Sequence, residues 1–436
     1  MKAKLTIFSA FLIAVTSLVI SVGGSAANAS PSSSVYTINT STCPTTATQK
    51  ITGTLTLGVS GPISGPIAPF VDAYVQGIKD RYAYQDAQGG IGGVKLAVTA
   101  EDDQFNPAMT KSNVDGWIQS GAVQAVTTFG SGPLAAAAPD QNLACLPMLL
   151  ASASADQYRD IKEYPWTTEF LPSDLVEESA EVKVIQATFP KDKVITVAVA
   201  EDETGSGAAY LAGMKAAVKG TNVRIKAIVP FVNPATAAIT LKKDKADAVF
   251  GALVVPECLQ LTEAMARVGY KPKLTVQASN CGSAALMFAP AGGAANGQKL
   301  VFWEKDPGNP LYTNDPGWKA YVADATSVDP TAAVDNTYYE TGYMTADMEV
   351  NSYQTAAASS AGLTEASIMQ AARNQNYQEP LFINGLKWIM NAKEAYGIMS
   401  LQPLVYSSKT KSFNYVGKLI NTCPQVLGAK NCTGGL

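Results

Sequence analysis

"TFGSGPLAAAAPDQ", Thr128 to Gln141, is the stretch that decides the fold. The β-branched run VQAVTTFG leads into it, Gly-Ser-Gly-Pro turns the chain, and an alanine-rich segment begins at once. A strand that passes through a tight turn straight into a helix is the repeating unit of a parallel α/β sheet. Pro133 suits the first helical turn, where its missing N–H would be unpaired anyway, so Ser131 or Gly132 falls at the N-cap. Gly130 lets the backbone approach a neighbour closely. Free N–H groups and the helix dipole make such a junction an anion site as well as a helix start, and on the residues alone the two uses stand level.

The same unit recurs along the chain. GTLTLGVS is a strand, and Val71, Val75, Ile78 and Tyr82 follow at helical spacing. GGVKLAVTAEDD reads as a strand, NPAMTKSNVDGWIQSG as a helix and CLPMLLASAS as a strand. The rhythm breaks at YPWTTEFLPSD and restarts with the strand VITVAVAED, the helix GSGAAYLAGMKAAVKG and the strand VRIKAIVPF. ADAVFGALVV, PECLQLTEAMARVG and KLTVQAS continue the plan. A second break at LVFWEKDPGNPLYTNDPG precedes two helical segments, and a third near GIMSLQPLVYSS leads into a hairpin, PLVYSSKTKSFNYVGKLI. Two successive α/β lobes with three breaks predict a chain that crosses between lobes three times, with a ligand cleft between them.

The composition bounds the chemistry. The chain has 436 residues, is 47% hydrophobic and carries a formal charge of −4 with no Lys/Arg run, which argues against a nucleic-acid partner. It has no histidine, which removes the Ser-His-Asp triad, the Cys-His dyad and most transition-metal sites. MKAK, an apolar core from Leu5 and the exit SAANAS read as a signal peptide cut after Ala29, hence an exported protein. A Ser/Thr-rich lead-in covers residues 30–50. Export makes the six cysteines disulfide partners. Cys423 and Cys432 are close in sequence, Cys258 and Cys281 lie on successive β/α connections, and by elimination Cys43 pairs with Cys145.

Ligands of parallel sheets gather where strands end and helices begin, and the polar signals of this chain lie there. SGPISGP holds Ser64, ASASADQ holds Ser152, Ala153 and Ser154, EDETGSG holds Thr204, the strand end before PEC holds Val254, and SNCGS holds Asn280. Each hydroxyl has a plain alternative as a cap or turn residue. GSGPLA also matches the dinucleotide fingerprint, but the acid required about 20 residues on is replaced by MLLASAS, so the nucleotide reading fails. Glu257 reads as an acid stabilising a helix start rather than one facing a ligand cation, and EDDQ (Glu101–Gln104) as a solvated strand end rather than a calcium loop; Tyr338, Tyr339 and Tyr343 could line a cleft, with helix core the plainer reading.

Taken in order, GVSGPISGP, AQGGIGGVKLAVTAEDDQFNPA, TFGSGP, MLLASAS, EDETGSG and AMARVGYKPKL resemble the periplasmic binding proteins of the branched-chain amino acid type, from about Ile51 to the hairpin. The resemblance implies two Rossmann-like lobes joined by three hinge crossovers: residues 51–171 with 304–399, and 172–303 with 400–436. It implies no catalysis, no cofactor, and delivery of a small ligand to an ABC permease or, in a minority, to a sensor; the expected state is a monomer, and an exported hydrolase using the same cleft is the less favoured alternative. In amino-acid-binding relatives, residues matching Ser131, Ser152 and Ser154 hold the α-carboxylate and part of the ammonium. The second lobe departs from that pattern, because Thr204, Val254 and Asn280–Cys281 stand where relatives have two aromatics and an acid. A carboxylic acid, amide or aromatic compound therefore competes with an amino acid as ligand.

Overall fold

The computed structural model describes residues 35–428 and 432. The expected signal peptide and the first residues of the lead-in lie outside the described residues. The rest of the lead-in is tied down: Tyr36 and Ile38 donate their N–H groups to Asn374 Oδ1 (2.7 Å) and Gln370 Oε1 (2.8 Å).

The first sheet is built from β1 (Thr54–Gly61), α1 (Ala68–Ala87), β2 (Lys95–Asp102), α2 (Pro107–Ser120), β3 (Ala125–Thr128), α3 (Ser131–Leu143), β4 (Met148–Ala151) and β5 (Thr167–Glu169). Its strands lie in the order β2-β1-β3-β4-β5, all parallel, with β1 paired to β2 from Thr54↔Lys95 to Gly61↔Asp102. Helices pack on the sheet, so β3 and β4 are buried along their whole length, Thr127 and Thr128 included, and β1 buries Leu55, Leu57 and Val59.

The second sheet takes α4 (Asp174–Thr188), β6 (Ile195–Glu201), α5 (Gly205–Ala217), β7 (Val223–Pro230), α6 (Pro234–Asp244), β8 (Ala248–Ala252), α7 (Glu257–Arg267), β9 (Leu274–Gln277) and β10 (Lys299–Phe302). Its parallel part runs β10-β9-β8-β6-β7. Read in chain order, both sheets place the second strand outside the first and the third on its other side. This is a doubly wound order whose switch point lies between the first and third strands. The topology repeats although no repeat is visible in the residues.

The chain then returns to the first sheet through α8 (Pro316–Val328), α9 (Thr337–Ala358) and α10 (Glu365–Ala372). α9 packs along α1, where Tyr82 donates to Glu349 Oε2 at 2.6 Å and Arg81 pairs with Asp347 at 2.6 Å. A ribbon of β11 (Gln375–Tyr377) and β12 (Trp388–Met390) follows. β13 (Ser400–Ser407) adds antiparallel to β10 and forms the expected hairpin with β14 (Ser412–Tyr415), while β15 (Ile420–Asn421) pairs with β13. The chain thus passes between the sheets three times: after β5, after β10 and after β12. An aromatic residue from beside each passage meets the others. Phe170 lies 5.9 Å from Trp303 and stacks at 6.4 Å on Trp388, all three buried. Each such ring contributes about 1.5–3 kcal/mol by leaving water.

Three disulfides join Cys43 to Cys145, Cys258 to Cys281 and Cys423 to Cys432, with Cα separations of 5.6, 6.2 and 5.8 Å. The acid run Glu101–Gln104 differs from the solvated strand end expected of it. Asp103 is fully buried, accepting from Ser60 Oγ (3.0 Å), Thr110 Oγ1 (2.8 Å) and the Phe105 N–H (2.9 Å), so it organises the β2–α2 turn. Among the described residues, no helix is long and apolar enough to cross a membrane.

Candidate ligand-binding site

The carboxyl ends of the two sheets line a partly open pocket. Ser131 follows β3, Ser152 to Ser154 follow β4, Val254 follows β8, Asn280 follows β9, and Glu304 follows β10. Equivalent strand ends of the two sheets thus face one another.

The first-sheet wall is a ready set of donors. Pairing of β3 with β4 continues one step further, with the Gly130 N–H on Ser152 O and the Ser152 N–H on Thr128 O. That pairing holds Gly130 at φ 103°, a conformation glycine reaches without strain, and turns the chain into α3. No side chain caps the N-terminus of α3. Ser131 Oγ accepts the Ser154 N–H at 3.3 Å, which leaves its own proton free to donate into the cavity. Ser131 and Ser154 are both buried. Phe105, Phe129, Tyr74 and Ile67 form an apolar flank beside these donors.

The second-sheet wall supplies Ser206 and Tyr210, one turn apart on α5, with Val254, Ser279 and Asn280. Ser279 is fixed from behind: its N–H donates to Glu177 Oε1 at 2.6 Å and its hydroxyl bonds Glu177 Oε2. From the connections come Trp303 and Glu304, and from α9 come Tyr338 and Thr341. Glu304 is 2% exposed and accepts from Thr341 Oγ1 at 2.9 Å. Burial pushes its carboxyl above the usual range, with the Thr341 bond opposing and Asp306 adding to the rise. No lysine, arginine or histidine lines the cavity, and Glu304 is the one carboxylate among its lining residues.

Of the candidates from sequence, Ser131, Ser152, Ala153, Ser154, Val254 and Asn280 share this cavity. Gly132, Ser64 and Thr204 are not among its lining residues. Ser64 is exposed and donates to Asp102 Oδ2 at 2.6 Å. Thr204 caps α5 by accepting the Ser206 N–H at 3.2 Å, and the residue that faces the cavity is Ser206, two positions on. Glu257 turns back on its own helix, accepting the Val254 N–H at 3.3 Å; burial, with Asp202 nearby, pushes its carboxyl up to about 8. Tyr338 lines the cavity, as the cleft alternative for the three tyrosines has it, and Glu304, in the segment LVFWEKDPG that reads as a break, lines it without any sequence signal. Tyr339 and Tyr343 stay in the core, Tyr339 donating to Asp80 at 2.5 Å.

The family model for periplasmic binding proteins matches residues 54–401, and the chain belongs to that family. Among solved structures, one described as a branched-chain amino acid ABC transporter from Thermus thermophilus with bound valine is 18% identical, with a TM-score of 0.75, covering 86% of this chain and 98% of its own. A solute-binding protein of an ABC transporter from R. palustris, in complex with 4-hydroxybenzoate, is 17% identical (TM-score 0.70, 86% and 100% covered). A fatty acid ABC transporter substrate-binding protein from Thermomonospora curvata is 18% identical (TM-score 0.71, 85% and 92% covered). At these identities the likeness is one of fold. No curated protein matches the sequence significantly.

Proposed function

We propose that this protein is an exported solute-binding protein, without catalytic activity, that captures a small amino-bearing carboxylate and delivers it to an ABC permease. The carrying observation is the donor set at the α3 N-terminus, where the Ser131 hydroxyl, the uncapped helix end and the loop Ser152–Ser154 converge with no basic side chain present. A carboxylate is the group such a helix end receives. Valine, 4-hydroxybenzoate and fatty acids, the ligands named for the three similar structures, all carry one. Glu304 favours an amine elsewhere on the ligand, since a buried carboxylate without a cation gains most from a ligand ammonium. It stands in for the acid missing near Asn280. The aromatic flank takes the ligand's apolar body.

In this reading the lobes, residues 51–171 with 304–399 and 172–303 with 400–436, turn about the three passages. Ligand meets Ser131 and Ser154 first, and closure adds Ser206, Ser279 and Asn280, shifting an open–closed equilibrium through contacts available only when closed. The test is calorimetric titration of leucine, valine, 4-hydroxybenzoate and amine-free acids into wild type and a Ser131→Ala/Ser154→Ala variant. Hydrogen bonds to a charged group are worth about 1.5–3 kcal/mol, so the variant should lose roughly ten-fold or more in affinity. Unchanged affinity would remove the carboxylate assignment.

A further inference from the structure

Behind the second-sheet wall, α4 carries a feature that the ligand cavity does not use. Asp174, Glu177, Glu178 and Glu181 occupy i, i+3, i+4 and i+7, the spacing of one helix face. That face points inward: Glu177, Glu178 and Glu181 are 0% exposed and Asp174 is 2% exposed. One carboxylate oxygen each from Glu177, Glu178 and Glu181 come together, all within 4.8 Å of one another. Among the described residues no ion pair reaches any of the four.

A second observation distinguishes this stripe from an ordinary acidic patch. Both oxygens of Glu178 and both of Glu181 are buried without a hydrogen-bond partner among the described residues, and so is Asp174 Oδ1, one turn nearer the helix start. Protonation alone would relieve the charge and still leave these oxygens without partners. Glu177 is already committed to Ser279, so its carboxylate is held in place. Tyr210 of α5 packs beside all four acids; burial first, then their charges, push its phenol well above its ordinary value. The groups facing the stripe are therefore the Tyr210 phenol, two serines (Ser279 on Glu177 and Ser154 on Asp174) and other acids, with no positive charge among them.

We propose that α4 binds a hard divalent cation of the calcium type through Glu177, Glu178 and Glu181. Oxygen-only donors select hard cations, and one ion satisfies the orphaned oxygens and the charge together. The site lies one residue from the ligand cavity, because Glu177 holds Ser279 and Tyr210 lines the cavity wall. A cation there fixes both residues. The site stands whether or not the cavity takes a carboxylate.

The test uses the full mature chain after chelator treatment and gel filtration. Terbium(III) is titrated with excitation of the aromatic residues, Tyr210 being adjacent to the site, and calcium chloride is then added as competitor. The expected result is one saturable site per chain, displaced by calcium, together with a calcium-dependent rise in Tm. Glu178→Gln/Glu181→Gln should weaken binding by about 100-fold or more and abolish the calcium-dependent rise. Glu263→Gln, a half-buried acid on α7 that pairs with Arg267, should change neither. Should the double variant not fold, elemental analysis of wild type purified from calcium-containing medium takes its place, with about one ion per chain expected. No saturable site at millimolar calcium, unchanged binding in the double variant, or a chain purified free of metal from calcium-containing medium would each overturn the proposal.

Discussion

Gly205, at the start of α5, stands against Gly132, at the start of α3: a Cβ on Gly205 would come within 2.9 Å of the Gly132 Cα. The two lobes meet here backbone to backbone, beside the ligand cavity and outside it. A methyl group at Gly205 has no flexible side chain to push aside, so the two helix ends must separate. A methyl at Gly132 meets Pro107 Cγ at 3.6 Å and the Gly205 Cα at 3.8 Å, which is ordinary contact. Gly205→Ala should therefore hinder closure and cost roughly 1.4 kcal/mol, or ten-fold, in ligand affinity. Gly132→Ala should stay near wild type, and the urea midpoints of both should be unchanged. Equal affinities for the two variants would show that the contact does not limit closure.

Glu304 ties the nature of the ligand to pH. Burial raises its carboxyl above the ordinary range, so near neutrality it is held largely protonated. A ligand ammonium favours the ionised form, and its affinity should rise as pH climbs through the raised value. A carboxylate without an amine favours the protonated form, and its affinity should fall over the same range. Glu304→Gln should flatten both profiles and weaken only the amine-bearing ligand, by about ten-fold or more. Titrations at several pH values in buffers of different ionisation heat also count the proton released on binding. An amino acid that binds with no pH dependence would take Glu304 out of the site.

The lobes were legible because a doubly wound sheet writes itself as apolar runs ending in small polar turns, and each of β1, β3, β4, β6 and β8 shows that form. The first-sheet wall was legible for the same reason, since Ser131, Ser152 and Ser154 sit directly on strand ends. The second wall was harder. Whether Thr204 or Ser206 faces the cavity depends on the phase of a helix that Thr204 itself caps, and spacing alone does not set that phase. Glu304 follows β10 and Tyr338 lies in the first turn of α9, and their meeting is purely tertiary. The acids of α4 carry a helical period, yet charged residues at that period normally mark a solvated face. Only burial shows that this one turns inward.

The Cys43–Cys145 bond closes a loop of 102 residues and should be the disulfide that matters most for stability. Chain entropy assigns a loop of that length about 4.7 kcal/mol, with engineered and native cases commonly giving about 2–4 kcal/mol. The lead-in it anchors is also held by Tyr36, Ile38 and Ile51, so Cys43→Ser/Cys145→Ser should fold and lose stability rather than lose its fold. Removing Cys423–Cys432, which spans 9 residues, should cost less. Urea denaturation of both double variants gives the comparison. A larger loss from the short loop would mean that native packing, not loop length, sets the contribution.

Buried acids also fix the sign of the stability profile. Burial pushes Glu349 and Asp306 up to about 8, against the hydrogen bonds from Tyr82 and the Ala284 N–H that partly offset it. The native chain therefore holds protons that the unfolded chain releases above its ordinary carboxylate range. Stability contributed by these groups is fully present below that range and is lost as pH rises toward about 8. Each group held protonated contributes a slope of about −1.4 kcal/mol per pH unit in that window. In chelator, the urea midpoint should be higher at about pH 5.5 than at about pH 8, and Glu349→Gln should make the decline shallower by about one group's share. Calcium should make it shallower too if the α4 acids bind it, since a bound cation stabilises the ionised form that burial alone disfavours. A midpoint that is flat or rising between those two pH values would mean that these carboxyls ionise in the folded chain at their ordinary values.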